Sequence, residues 1–265
     1  MPELPEVELM TRNVRRWSEG ASLVSVDVLD PKIIRMGEEL VPSLANETVV
    51  NVSRRAKYTV METENRALVF HFRMTGKLIP EALAKKSRFT MTFDNGAAVS
   101  FADTRRLGEV FVMLRDALPA FFHAKKLGPE PYPEVRDALW WRARVESSSR
   151  AIKPTLMEQE RVAGIGNILA SELCFRAGIE PNKRAKQVTD VQWVALAEAW
   201  PVLIEAVLQH EAGDEIAYMG DGGGGAGTVF EVYGRDGAPC VVCELPVQRR
   251  VQSGRSTFWC ARCQT

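Results

Sequence analysis

The chain has 265 residues, 46% of them hydrophobic and 26% charged, with 34 basic and 34 acidic side chains and a formal net charge of +0. This length allows one large domain or two modest ones, each with its own core, and the charge balance excludes a nonspecific polycationic coat. No apolar run approaches the roughly 18 to 20 residues that span a bilayer, and the acidic opening MPELPEVELM lacks the layout of a secretory signal, so the expectation is a cytoplasmic chain with reduced thiols and no membrane partner.

Val7, Met10, Val14 and Trp17 recur at spacings of three and four after Pro5. That predicts an amphipathic helix, with proline in its first turn and Glu6 and Glu8 at its positive end. Alternating apolar residues then predict strands at 24–28, 50–52, 68–74, 88–93, 97–101 and 109–113. Asp94-Asn95-Gly96 is a hairpin-turn signal. Many short strands without long intervening helices indicate a sandwich or barrel.

The proline-rich stretch 127–134 marks a boundary, since it can continue neither helix nor inner strand. Helices are predicted at 155–159 and 167–177, the second ended by Gly178 and Pro181. Thr189 and Gln192 form a capping-box pattern opening a helix to His210, with a kink expected at Pro201. The glycine run 220–227 reads as a loop. The expected division is 1–126, a linker at 127–135, a helical part at 136–219, and a loop with a cysteine module at 220–265.

Cys240, Cys243, Cys260 and Cys263 give C-x2-C-x16-C-x2-C. That spacing lets four thiolates close a tetrahedral site around one structural zinc ion. Cys174 lies between Leu173 and Phe175 and reads as core. Positive charge is uneven: Val52 to Arg88 holds nine Lys/Arg against three Glu, and Cys240 onward four Arg against Glu244. Two basic islands on a neutral chain suit a polyanion groove. Arg255, beside Gly254 between the cysteine pairs, is placed to meet phosphate at a hairpin tip. Gly164 and Gly166 frame a helix start at Asn167, where free backbone N–H groups favour an anion.

Several segments taken in order, MPELPEVE, RRAKY at 54–58, MTGKL at 74–78, DTRRLG at 103–108, LGPEP at 127–131, AGIGNILASE at 163–172 and the terminal GRSTFWCARCQ, resemble the formamidopyrimidine-DNA glycosylase and endonuclease VIII family, closer to the first branch. The likeness implies an α+β fold: an N-terminal β-sandwich with a flanking helix, then a C-terminal helix–two-turn–helix domain ending in a four-cysteine zinc finger. It implies a monomeric bifunctional DNA glycosylase and AP lyase acting on oxidised bases in double-stranded DNA held in an interdomain cleft. By the same likeness Pro2 is the nucleophile once Met1 is removed, and Glu3 its acid/base partner. Glu6 bonds near the sugar. Lys57, His71, Arg88, Gly166, Asn167 and Arg255 lie on the phosphates, and Met74, Arg105 and Leu107 fill the gap left by an everted nucleotide.

An α-amine is roughly 10 to 15% neutral at pH 7, several hundredfold more than a lysine. Its attack on C1′ gives an iminium that acidifies the C2′ proton, and elimination at C3′ and C5′ follows. Three departures from the family pattern bear on specificity. Leu107 stands where phenylalanine is common, Arg88 where histidine is, and the glycine run 220–227 where the family has a lesion-capping loop. Oxidised pyrimidines are an alternative substrate class, and a non-catalytic zinc-ribbon DNA binder an alternative function.

Overall fold

The computed structural model describes residues 2–80, 86–210, 213 and 229–265. The chain divides between Lys126 and Leu127 into two compact units, the second including 229–265. The glycine run 220–227 lies outside the described residues.

The first unit begins with α1 (Leu4–Ser18), followed by β1 (Leu23–Val28), β2 (Ile34–Met36), β3 (Val49–Arg55), β4 (Tyr58–Thr63), β5 (Arg66–His71), β6 (Gly76–Ile79), β7 (Ser87–Phe93), β8 (Ala98–Asp103), β9 (Glu109–Leu114) and α2 (Leu118–Ala124). They form a four-stranded sheet, β1-β7-β8-β6, and a five-stranded sheet, β2-β9-β5-β4-β3. Phe70 of β5 meets Phe89 and Phe101 of the other sheet at ring separations of 6.2 and 6.0 Å, so the two sheets share one aromatic core. Val7, Met10 and Val14 of α1 are buried as their spacing predicts, and Trp17 is half-buried. The helix lies on β3 and β4: Glu8 pairs with Arg54 at 2.9 Å, and the Thr11 and Thr59 hydroxyls meet at 2.8 Å.

One strand is shorter than expected. The alternation over 68–74 suggests continuous β structure, but β5 ends at His71 because Arg73 takes a left-handed conformation, φ 53°. Met74 therefore sits in a turn closed by the Gly76 N–H donating to the Phe72 carbonyl at 2.9 Å.

The second unit carries α3 (Ala138–Val145), α4 (Ile152–Leu156), α5 (Asn167–Arg176), α6 (Asp190–His210) and the hairpin β10 (Gln248–Gln252) and β11 (Arg255–Trp259). Trp141, Trp193 and Trp200 fill its core, each contributing upward of about 2 kcal/mol by burial. The Trp200 indole N–H donates to the Pro131 carbonyl at 2.8 Å. The capping box of α6 forms: the Thr189 N–H donates to Gln192 at 3.2 Å and the Gln192 N–H to Thr189 at 3.3 Å. The helix continues through Pro201 to His210.

Two expectations need correcting here. The helix expected at 155–159 is α4, Ile152–Leu156; it stops because the Gln159 amide turns back to donate to the Met157 and Ile165 carbonyls at 3.0 and 2.7 Å. And α6 contains an 18-residue window with a mean hydropathy of 1.4, enough by length and composition alone to cross a membrane. Its apolarity has a local cause: Trp193, Leu196, Trp200, Leu203, Ile204 and Val207 face the core against α3 and α5.

Candidate functional site

Glu3 is the residue before α1, in extended conformation, and Pro5 falls in the first turn. The Glu3 backbone N–H donates to Oε2 of Glu6 at 2.9 Å, which fixes the peptide between residues 2 and 3. Pro2, Glu3 and Glu6 are all buried. Along α1, Arg15 reaches the Val52 carbonyl at 2.8 Å and Glu8 reaches Arg54 at 2.9 Å. The start of the helix thus points toward the two-residue turn, Ala56-Lys57, that joins β3 to β4.

Lys57 is 9% exposed although it sits at that turn. Ala56 holds φ 53°, a conformation uncommon outside glycine, and is itself buried. Next to Lys57, Tyr58 pairs across the sheet with His71, their rings 4.6 Å apart. Burial, then the charges of Arg73, Lys57 and Lys125, pushes the His71 imidazole down to about 3. His71 is therefore neutral at physiological pH. Its Nδ1 accepts the Arg73 N–H at 3.3 Å, leaving Nε2 as the hydrogen-bond donor. Arg73 is itself engaged, its Nη2 donating to both carboxylate oxygens of Glu109 at 2.9 Å, so the basic island of the sequence is partly neutralised by a residue of β9.

Met74, Arg105 and Leu107 stand on two neighbouring loops, all three exposed; Met74 is at 39% and Leu107 at 41%. Neither apolar side chain is core. Arg88 faces the same region and donates through Nε to the Asp103 carbonyl at 3.0 Å.

In the second unit, Gly164 takes φ 90°, and Gly166 precedes the first turn of α5 in extended conformation. Gln159 braces this turn, accepting the Gly164 N–H at 3.0 Å. Asn167 opens α5: its amide donates to the Ser256 carbonyl at 2.9 Å, and its Oδ1 accepts the Lys153 ammonium at 2.6 Å. Lys153 is 1% exposed and donates a second bond to Thr257 at 2.9 Å. It also lines a hollow of about 180 Å³ together with Arg150, Glu158 and Arg255. Arg255 is exposed at the tip of the β10–β11 hairpin, whose turn residues Ser253 and Gly254 hold φ 49° and 75°. Asn167, Lys153 and Arg255 thus form one cationic corner. Sequence reasoning passed over Lys153 and Gln159; a lone lysine in the apolar run Ala151 to Leu156 was the available signal.

The four cysteine sulfurs lie within 4.8 Å of one another. Cys240 and Cys263 are 3.9 Å apart and Cys243 and Cys260 3.4 Å, too long for disulfides. A tetrahedral zinc with bonds of about 2.3 Å requires sulfurs about 3.8 Å apart, so the donor set fits one structural ion with no open position. Phe175, Val232, Val247 and Phe258 pack around it. Cys174 is fully buried, and burial pushes its thiol up to about 12.

A sandwich opened by a buried helix start, a helical unit with a glycine-framed cationic corner, and a four-cysteine finger are the parts by which the chain matches DNA glycosylases of the helix–two-turn–helix class. Residues 1–110 match the formamidopyrimidine-DNA glycosylase N-terminal domain, 127–216 the H2TH domain of the same enzymes, and 237–265 a zinc finger found in FPG and IleRS. The chain is 36% identical over 276 residues to a formamidopyrimidine-DNA glycosylase of Exiguobacterium sp., covering 100% of this chain and 99% of that one. Two solved complexes of the Lactococcus lactis enzyme, one with abasic-site DNA and one with DNA containing an oxidised pyrimidine, match at TM-score 0.87, with 29% and 30% identity over 99% of each chain. The chain belongs to the formamidopyrimidine-DNA glycosylase family and is an enzyme of base excision repair.

Proposed function

We propose that this chain excises oxidised bases, oxidised purines foremost, from double-stranded DNA and then cleaves the strand, acting as a cytoplasmic monomer through Pro2. The observation that carries the reading is the hydrogen bond from the Glu3 N–H to Glu6 at 2.9 Å, which holds residue 2 at the start of a buried helix. With Met1 removed, the Pro2 ring nitrogen attacks C1′ as the base leaves, and Glu3 transfers the proton that the sugar oxygen or the departing base requires. Loss of the C2′ proton from the iminium expels the 3′ phosphate, and a second elimination expels the 5′ phosphate. Lys57, Asn167 and Arg255 hold phosphates. His71 joins them as a neutral donor, and Gly166 offers its helix start. Arg88 lies near this backbone. Met74, Arg105 and Leu107 occupy the space of the everted nucleotide. When bound, zinc supplies no chemistry; it supports the hairpin bearing Arg255.

A second reading, oxidised pyrimidines as substrates, is favoured by the Lactococcus lactis complex with DNA of that kind. A panel of 8-oxoguanine, formamidopyrimidine and thymine-glycol duplexes separates the two. Borohydride trapping on abasic-site DNA tests the mechanism: the processed protein forms a covalent adduct, and a blocked amino terminus forms none. An undiminished adduct after blocking refutes it.

A further inference from the structure

Asp103, the last residue of β8, is 1% exposed, yet its carboxyl group is spent on two loops rather than on substrate. One oxygen accepts the Thr75 hydroxyl and the Arg105 N–H, the latter at 3.1 Å; the other accepts the Gly108 N–H at 2.7 Å. Thr75 follows Met74, and Gly108 follows Leu107. Thr75 also accepts the Arg105 N–H, at 3.1 Å, closing a three-way knot. Arg105 is therefore bonded to this carboxyl group through its own backbone, Leu107 is adjacent to Gly108, whose backbone is bonded to it, and Met74 is adjacent to Thr75, whose hydroxyl is.

The knot is braced on all sides. The Asp103 N–H donates to the Lys86 carbonyl at 3.1 Å, and its carbonyl accepts Arg88. Arg106, at φ 57°, turns away from the wedge and grips buried Asp30 through two bonds of 2.6 and 2.9 Å. Beneath the loops, Gly76 and Gly108 press on the Phe101 ring, where an added Cβ would come within 2.8 and 2.5 Å. Exposed Met74 and Leu107 thus stand on a rigid base, so little conformational freedom is left to lose when they enter the duplex.

We propose that Asp103 is a positioning residue that makes the Met74 loop and the Arg105–Leu107 loop one preformed wedge, and through it sets the response to the base opposite the lesion. The inference rests on the wedge assignment made under Proposed function. Removing the tie leaves the reacting groups at Pro2 untouched but lets the two loops move independently. The penalty then falls only on DNA in which a partner base must be separated from the lesion.

Single-turnover excision tests this with Asp103→Asn and the milder, near-isosteric Thr75→Val, each checked for an unchanged circular dichroism spectrum. The substrates are a formamidopyrimidine duplex with C or A opposite, and the same lesion opposite a one-nucleotide gap. Both variants should lose about tenfold or more on the paired duplexes, with the C-to-A rate ratio collapsing toward one, while the gapped substrate stays within about twofold of wild type. An equal loss on paired and gapped DNA, or no loss on either, overturns the proposal. Met74→Ala separates the underlying reading: if it fails to lose more on paired than on gapped DNA, the wedge assignment itself falls, whatever Asp103 does.

Discussion

Lys153 and Asn167 are joined by a 2.6 Å hydrogen bond from a buried ammonium to a side-chain carbonyl, with Thr257 taking a second bond from the same nitrogen. One cation thereby ties α4, the start of α5 and the zinc hairpin together. Lys153→Met keeps the stem but leaves the Asn167 and Thr257 oxygens short of a donor. The expected cost is about 1 to 3 kcal/mol, read by urea denaturation. Affinity for abasic-site duplex should fall, and the slope of log Kd against log salt should drop by about one. An unchanged slope would mean that the ammonium serves only as a structural tie.

His71 makes a prediction about acid. Its imidazole is held at about 3 in the fold by burial and three nearby cations, against about 6.5 when unfolded. Below pH 6.5 the unfolded chain takes up a proton that the folded chain refuses, so the contribution of His71 is complete above 6.5 and is lost as pH falls toward 3. The slope is at most about 1.4 kcal/mol per pH unit. Denaturation midpoints at pH 7 and 5 should differ less in His71→Gln than in wild type. A wild-type-like difference in the variant would place the acid sensitivity elsewhere.

Zinc removal should uncouple the hairpin. Chelation deprives Cys240, Cys243, Cys260 and Cys263 of their shared ion, and the cluster with Phe175 and Phe258 loses its anchor. Duplex binding should be lost and should return on adding zinc, measured by fluorescence anisotropy on the full chain. Binding that survives complete metal loss would show that Arg255 is held by the β10–β11 pairing alone.

Gly108→Ala tests the floor of the wedge. The new Cβ would lie 2.5 Å from the Phe101 ring, which is buried between Phe70 and Phe72 and has nowhere to go. Overpacking of this kind costs about 1 to 3 kcal/mol. A denaturation midpoint equal to wild type would show that the ring shifts freely.

Local signals carried much of this architecture. The two C-x2-C pairs, the Thr189–Gln192 box and the Val7–Met10–Val14 stripe on α1 are each written within one short stretch of chain, and each forms as read. What escaped depends on distant partners or on backbone conformation that side chains do not announce. Thr257 is 104 residues from the lysine that binds it. The left-handed turn at Arg73, where a glycine would have signalled the break, is hidden behind an alternation that looks like continuous strand. The apolar length of α6 is set by the three-helix core it crosses, a fact of packing rather than of sequence window.

Cys174 has a practical consequence. Of the five cysteines in the chain, it alone lies outside the metal cluster, and its thiol is both inaccessible and held near 12. A thiol-directed reagent therefore meets a silent background in the folded protein, and whatever reacts reports on the finger. Colour released by such a reagent becomes a direct gauge of how much of a preparation has lost its ion.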